Sequence, residues 1–442
     1  MPRCGAREAD SVTPTATANH TRAFRIWVPL LSALLLLLLL EGGARLALQL
    51  WPAPSAGARF AASEVWPHEE HSLHEADAEL FWRPIAGRHW RGFQINAQGF
   101  RGPPIRLPKP EGVRHWVCVG NSVTFGWGVS EQEAFVGRLR RAAPDDVAVI
   151  NAGVIGYSSW QGRLFCERRL ADLEPDRLLV MFGYNDHHSA RLSDRESYAR
   201  RHLRGLLGWV RESGLFRLVQ RIRGRDAPRL RKAPVPRVSL GAYRENLRAI
   251  RDAARRAGAR AVFLTVPLRP DRPLIENFVP IDFADGRVWM RQIDFAVGSL
   301  PPRLGAAVER HFFRGGDLSV LSSGSDACER IDALAGRHPR LPIFPYLQSI
   351  CLQAAGEDSA ASAARRRSRA LDGERRELEA YNAVLRDLAA AGEIALIDLA
   401  ARMAALPPEG LWLDVVHPTP RGHAVIAELV RAGIESGLQK TT

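Results

Sequence analysis

The chain predicts an α/β fold, a three-layer α/β/α sandwich on a five-stranded parallel sheet, with an N-terminal membrane helix and an α-helical insertion. Three observations carry that expectation. Five short apolar segments alternate with amphipathic helical stretches: His115 to Val119, Val147 to Ile150, Leu178 to Phe182, Ala261 to Val266 and Ile394 to Leu399. That alternation belongs to a parallel sheet covered on both faces. The run Ile26 to Leu40 is uncharged and dominated by Leu. With 442 residues the chain is also long enough for a large core plus an accessory domain.

In chain order, residues 1–51 read as a cytoplasmic tail and signal-anchor helix. Fifteen apolar residues fall short of the ~20 that span a hydrocarbon core, so a signal-peptide core and a cleavage site in the small-residue run Ala53 to Ala58 are the alternative. The stretch continues, however, through Glu41-Gly-Gly-Ala-Arg45 to Leu50, where Glu41 and Arg45 can pair one turn apart. More arginines precede the segment than follow it, which places the N-terminus in the cytoplasm and the remainder in the periplasm or cell exterior, attached to the inner membrane by a single pass.

Residues 52–112 form a linker and lead-in rich in Pro, His and aromatic side chains, ending near Asn96-Ala-Gln-Gly-Phe-Arg-Gly102. His68, His71 and His74 recur every third residue but lack the His-Glu-x-x-His pattern of zinc proteases, and an exposed linker accounts for them. The sheet domain is expected in two pieces, 113–267 and 376–442. Its first strand runs into Gly120-Asn121-Ser122-Val123-Thr124-Phe125-Gly126, its second into Asn151-Ala-Gly-Val-Ile-Gly156, and its third into Gly183-Tyr184-Asn185-Asp186. Ser130-Glu-Gln-Glu133 and Ser158-Ser-Trp-Gln161 match capping boxes and predict helix starts after the first two loops. Asp414 and His417 stand three apart before Pro418, ahead of a final helix from Pro420 to about Gly437. A serine hydroxyl is a weak nucleophile until an imidazole takes its proton and a carboxylate holds that imidazole in the right tautomer.

These four blocks, in this order, resemble the SGNH (GDSL-type) hydrolase family. The resemblance implies Ser122 as nucleophile, His417 as base and Asp414 as its orienter. It implies the Ser122 amide, the Gly156 amide and the Asn185 side chain as oxyanion-hole donors, with Asp186 supporting the Asn185 turn. Gly153 reads as the tight-turn glycine and Gly156 as the donor, although sequence alone allows the exchange. Asn121 stands where the family usually has Asp; that residue is not the base, so the change bears on loop geometry. The scheme requires no cofactor and no metal. The segment Asn96 to Gly102 resembles the lead-in of membrane-anchored members.

Two insertions interrupt the pattern. Residues 191–237 are basic, with apolar positions Leu203, Leu206, Leu207, Val210, Leu218, Val219 and Ile222. They read either as a helix on the membrane surface or over the active site, or as amphipathic helices packed on the core with Arg toward water. Residues 268–375 lengthen the family's usual interval between the fourth and fifth strands. Gly315 and Ser349, Ala327 and Ala361, and Pro339 and Gly373 are each 34 apart, which resembles tetratricopeptide hairpins closed at Ala370-Leu-Asp-Gly373. Two repeats are fewer than usually stand alone.

The formal net charge of +13 invites a nucleic-acid reading, yet the basic residues are nearly all Arg, with Lys only at 109, 232 and 440. A GC-rich coding bias explains that skew, and no nucleic-acid motif accompanies it. Five cysteines in so long a chain do not make a disulfide scaffold. Cys4 falls in the cytoplasmic tail, Cys118 and Cys166 read as buried hydrophobes, and Cys328 and Cys351 could be bridged in an oxidising compartment. The leading expectation is a membrane-anchored extracytoplasmic serine esterase acting on an acyl or acetyl ester of a small molecule or glycan. Acyl transfer to a cell-envelope glycan is the second. The third is a non-catalytic scaffold that engages a protein partner through the helical insertion.

Overall fold

The computed structural model describes residues 17–50, 73–90, 92–201, 213–222, 230, 232–283, 286–314, 316, 318–321 and 326–437. Cys4, His68, His71, Leu203, Leu206, Leu207, Val210 and Gly315 lie outside them. The chain divides into two units, 1–54 with 203–226, and 55–202 with 227–442.

In the first unit, helix α1 runs over Thr17–Leu50, and its stretch Trp27–Leu50 is long and apolar enough to cross a membrane. Its leucines from Leu30 to Leu46 stay exposed within the protein. Glu41 and Arg45 pair at 2.8 Å. The same carboxylate accepts the Gly214 and Leu215 amides at 2.6 and 3.0 Å, closing the start of α5 (Gly214–Ile222). This helix of the basic insertion therefore sits against α1. Gly214 is needed at that crossing, because a Cβ there would lie 2.6 Å from the Arg45 side chain.

The second unit holds the sheet. Its strands are β1 (Arg114–Gly120), β2 (Val147–Gly153), β3 (Arg177–Met181), β4 (Arg260–Leu264) and β5 (Ala395–Ile397). They lie in the order β5-β4-β3-β1-β2, every pair parallel. All five segments expected from the sequence are present. Strands buried on both faces need continuous apolar runs, and Val117 to Val119, Leu178 to Met181 and Val262 to Leu264 are each at most 2% exposed. On one side α3 (Phe135–Ala142) packs against β2 and α13 (Pro420–Gly437). On the other, α6 (Leu240–Arg256) packs between α4 (Ser159–Arg169) and α12 (Gly373–Ala390). The three-layer expectation is met. In this strand order the chain reverses direction across the sheet at β1, and in such folds ligands settle outside the carboxyl ends of the strands there.

Two expectations need correction. The box at Ser130 does form, with Glu133 accepting from the Ser130 amide and hydroxyl, but it closes a turn rather than the helix. Helix α3 starts at Phe135, where the first amide donates to His423 Nδ1 at 3.2 Å. The second box does open α4, with the Ser158 amide bonded to Gln161 Oε1.

The insertion is not purely helical either. It opens on an antiparallel hairpin, Phe278–Phe283 with Gly286–Arg291, before α7 (Gln292–Ser299), α8 (Pro302–Arg314), α9 (Asp326–Arg337), α10 (Ile343–Ala354) and α11 (Asp358–Leu371). Helices α10 and α11 form one tight hairpin, while α9 packs on α10 and α8 on α7. Successive helices of the insertion thus pack on one another from α9 to α11. Cys328 on α9 and Cys351 on α10 are bridged, with Cα atoms 5.8 Å apart. Cys118 and Cys166 are free and buried.

Candidate active site

The end of β1 turns sharply into α2 (Ser122–Phe125), a single helical turn whose first residue is Ser122. Asn121 caps it by accepting the Val123 amide at 3.0 Å, so the amide oxygen does what a carboxylate would do at this position. Gly126 ends the turn with φ +88°, a left-handed conformation that favours glycine. This turn presents the serine at the carboxyl edge of the sheet.

Almost three hundred residues later, the loop before α13 is fastened by Leu413 N to His417 O at 2.8 Å. Asp414 Oδ1 accepts the amides of Val416 and His417, and its Oδ2 lies 2.6 Å from His417 Nδ1. The opposite ring nitrogen, Nε2, is 2.8 Å from Ser122 Oγ. Hydroxyl, imidazole and carboxylate thus form a hydrogen-bonded row. Burial disfavours the His417 imidazolium, but the charge and hydrogen bond of Asp414 outweigh it and raise the pKa above 6.5.

The sequence left open which glycine after β2 offers its amide. The Gly153 amide is committed to Asn151 Oδ1 at 3.0 Å, and a Cβ at Gly153 would meet the Phe125 amide at 2.4 Å. Gly153 is therefore the close-packing glycine. Gly156 has φ +82°, and its amide, like that of Ser122, has no acceptor among the described residues. Asn185 Nδ2 donates to Tyr157 O at 2.9 Å, which puts the Asn185 amide beside the Gly156 turn. Asp186 holds both loops from beneath, accepting from Gly183 N and Ser159 N at 3.0 and 2.9 Å.

Two buried arginines hold this frame, and neither was assigned from the sequence. Arg101 is 2% exposed and donates to the carbonyls of Phe125, Gly126 and Val129, at the end of the turn that begins with Ser122. Its guanidinium also lies over the rings of Phe93 and Phe125. Arg237 pairs with Asp194 at 2.9 Å and donates to Gly156 O at 2.8 Å. It belongs to the basic insertion, one reading of which turned its arginines toward water, yet its side chain is 5% exposed. Asp194 in turn accepts from Ser158 Oγ at 2.6 Å. The one available signal was position: Arg101 falls in the Asn96 to Gly102 segment that already stood out.

Residues 118–288 match the model of the GDSL-like Lipase/Acylhydrolase family. The chain carries a GDSL-like lipase/acylhydrolase domain. Such a domain is that of a serine hydrolase acting on ester bonds, and Ser122, Gly156 and Asn185 all lie within the matched segment. Asp414 and His417 lie beyond it and are joined to this hydrolase domain by geometry.

Among solved structures, a lipase/acylhydrolase from Enterococcus faecalis is 15% identical, covering 73% of this chain and 97% of its own, with a TM-score of 0.35. TesA is 13% identical over 73% and 98%, with a TM-score of 0.34. An acetylxylan esterase from Geobacillus stearothermophilus is 13% identical over 73% and 94%, also at 0.34. No curated protein sequence matches.

Proposed function

We propose that this GDSL-like hydrolase is a membrane-anchored, extracytoplasmic esterase that cleaves an acyl or acetyl ester by Ser122, His417 and Asp414. The observation that carries the reading is the row Ser122 Oγ, His417 Nε2, His417 Nδ1, Asp414 Oδ2, at 2.8 and 2.6 Å. As Ser122 Oγ attacks the ester carbonyl, its proton passes to His417 Nε2. Asp414 steadies the imidazolium without taking the proton. Negative charge grows on the carbonyl oxygen, where the amides of Ser122 and Gly156 and the second N–H of Asn185 Nδ2 receive it. His417 then protonates the departing alcohol, water attacks the acyl-enzyme, and the acid is released.

Anchoring is supported by α1, and an extracytoplasmic setting by the arginines ahead of it and the Cys328–Cys351 bridge. The test is an aryl-acetate assay with fluorophosphonate labelling of the full chain in detergent. Wild type should hydrolyse the ester and take the label, and Ser122→Ala should do neither. Activity unchanged in Ser122→Ala, or absent together with labelling in wild type, rejects the proposal.

A further inference from the structure

The loop after β3 carries a second polar cluster that ester cleavage leaves unused. His187 and His188 follow Asn185-Asp186 directly, Glu374 lies in the first turn of α12, and Glu276 precedes the hairpin of the insertion. His187 Nε2 is 3.3 Å from Glu374 Oε1, with side chains 1% and 6% exposed. His188 Nε2 is 3.5 Å from Glu276 Oε2. One donor atom from each of His187, His188 and Glu374 lies within 4.8 Å of the other two. His188 Nε2 is buried and has no hydrogen-bond partner among the described residues.

Three of the four groups are also held from behind. His187 Nδ1 donates to the Tyr184 carbonyl, which fixes a proton there and turns Nε2 toward Glu374. Glu374 Oε2 accepts the Asn277 amide at 3.0 Å, and Glu276 Oε1 accepts the Tyr184 hydroxyl at 2.9 Å. Imidazoles that ligate metals almost always donate their other N–H to a carbonyl or carboxylate in this way.

We propose that His187, His188, Glu374 and Glu276 bind one divalent transition ion of the zinc class, a site separate from the Ser122 chemistry. Four ligands at about 2.0–2.1 Å from a tetrahedral ion stand roughly 3.3–3.4 Å apart. The two paired separations, 3.3 and 3.5 Å, match that edge, and binding would draw the His187, His188 and Glu374 donors in from their present 4.8 Å limit. Two carboxylates neutralise the dication, and two imidazoles favour zinc-like ions over magnesium or calcium. A plain His187–Glu374 ion pair would leave His188 Nε2 buried without a hydrogen bond. The ion would tie the loop bearing Asn185 to α12 and to the start of the insertion, so its role is positional.

The test strips the full chain in detergent with a chelator, then titrates it with Zn²⁺ by calorimetry and counts bound metal by plasma emission. We expect one equivalent per chain, a dissociation constant in the micromolar range or below, and a Tm that rises with Zn²⁺. His188→Gln and Glu374→Gln should each weaken uptake at least a hundredfold, whereas His338→Gln and Ser122→Ala should bind as wild type does. Because Ser122→Ala retains the site, failure of the esterase reading would not disturb this result. Near-UV circular dichroism checks that each variant is folded. If either ligand variant is not, Co²⁺ loading of wild type decides, since a tetrahedral site gives intense visible absorption. No uptake by wild type, equal uptake by folded His188→Gln, or Co²⁺ without that absorption overturns the proposal.

Discussion

Asn185 Nδ2 donates to the carbonyl of Tyr157, the residue immediately after Gly156, so the side chain that follows β3 is braced on the loop that follows β2. One of its two N–H bonds is spent on that brace, and in the proposed mechanism the other meets the oxyanion. Asn185→Ala should therefore cut kcat about a hundred- to a thousandfold. The stability cost is about 1–3 kcal/mol, for the Tyr157 carbonyl left unpaired. Steady-state kinetics beside a urea melt separates the two losses; unchanged kcat would remove Asn185 from the mechanism.

The raised pKa of His417 has opposite effects on rate and on stability. The base must be neutral, so kcat/KM should fall as pH drops, with a midpoint above the unperturbed value of about 6.5. The stabilisation from the charged His417–Asp414 pair is complete below the unfolded value and is lost as pH rises through the higher folded one. Between pH 6 and 9, wild type should gain activity while its urea-midpoint advantage over His417→Gln shrinks. Asp414→Asn removes the larger raising charge and leaves only Glu276 against burial, so the rate midpoint should move down and activity should fall by about 10⁴.

Arg101 should govern both folding and the placement of Ser122. Three buried carbonyls depend on one guanidinium, and hydrogen bonds to charged groups are worth about 1.5–3 kcal/mol each. Arg101→Gln should cost about 3 kcal/mol or more and lower kcat more than it raises KM. Arg101→Lys should recover only part, because an ammonium lacks the planar fork that reaches several acceptors at once. Denaturant melts and a kcat-against-KM comparison test this, and wild-type values in Arg101→Gln would refute it.

The bridge between α9 and α10 closes a loop of sequence separation 23. Constraining a loop of that size in the unfolded chain stabilises by about 3 kcal/mol. The double variant Cys328→Ser with Cys351→Ser should unfold at correspondingly lower urea under oxidising conditions, and a reductant should bring wild type down to the same midpoint.

The sheet was legible because each strand is a short apolar run, as burial on both faces demands, and the first three run into turns bearing Gly and Asn. The pairing of Ser122 with Asp414 and His417 was read from the ordered blocks of the family resemblance, since neither a Gly-Asn-Ser nor an Asp-x-x-His is distinctive alone. Arg101 and Arg237 were not legible, because a charged side chain ordinarily faces water. Their acceptors become neighbours only on folding, 24 to 81 residues away along the chain. The hairpin Phe278–Phe283 with Gly286–Arg291 was missed for the same kind of reason, since short alternating segments do not stand out inside a stretch dominated by helical periodicity.

Glu41 is the carboxylate to which the α5 amides are fastened, and the segments it joins are 173 positions apart. A leader peptidase cutting anywhere in 53–58 would carry that carboxylate away with the leader. The apolar Leu215, Leu218 and Val219 would then have to find new cover in a protein already folded. Residues 17–50 thus supply the acceptor for the first amides of α5 as well as the long apolar helix.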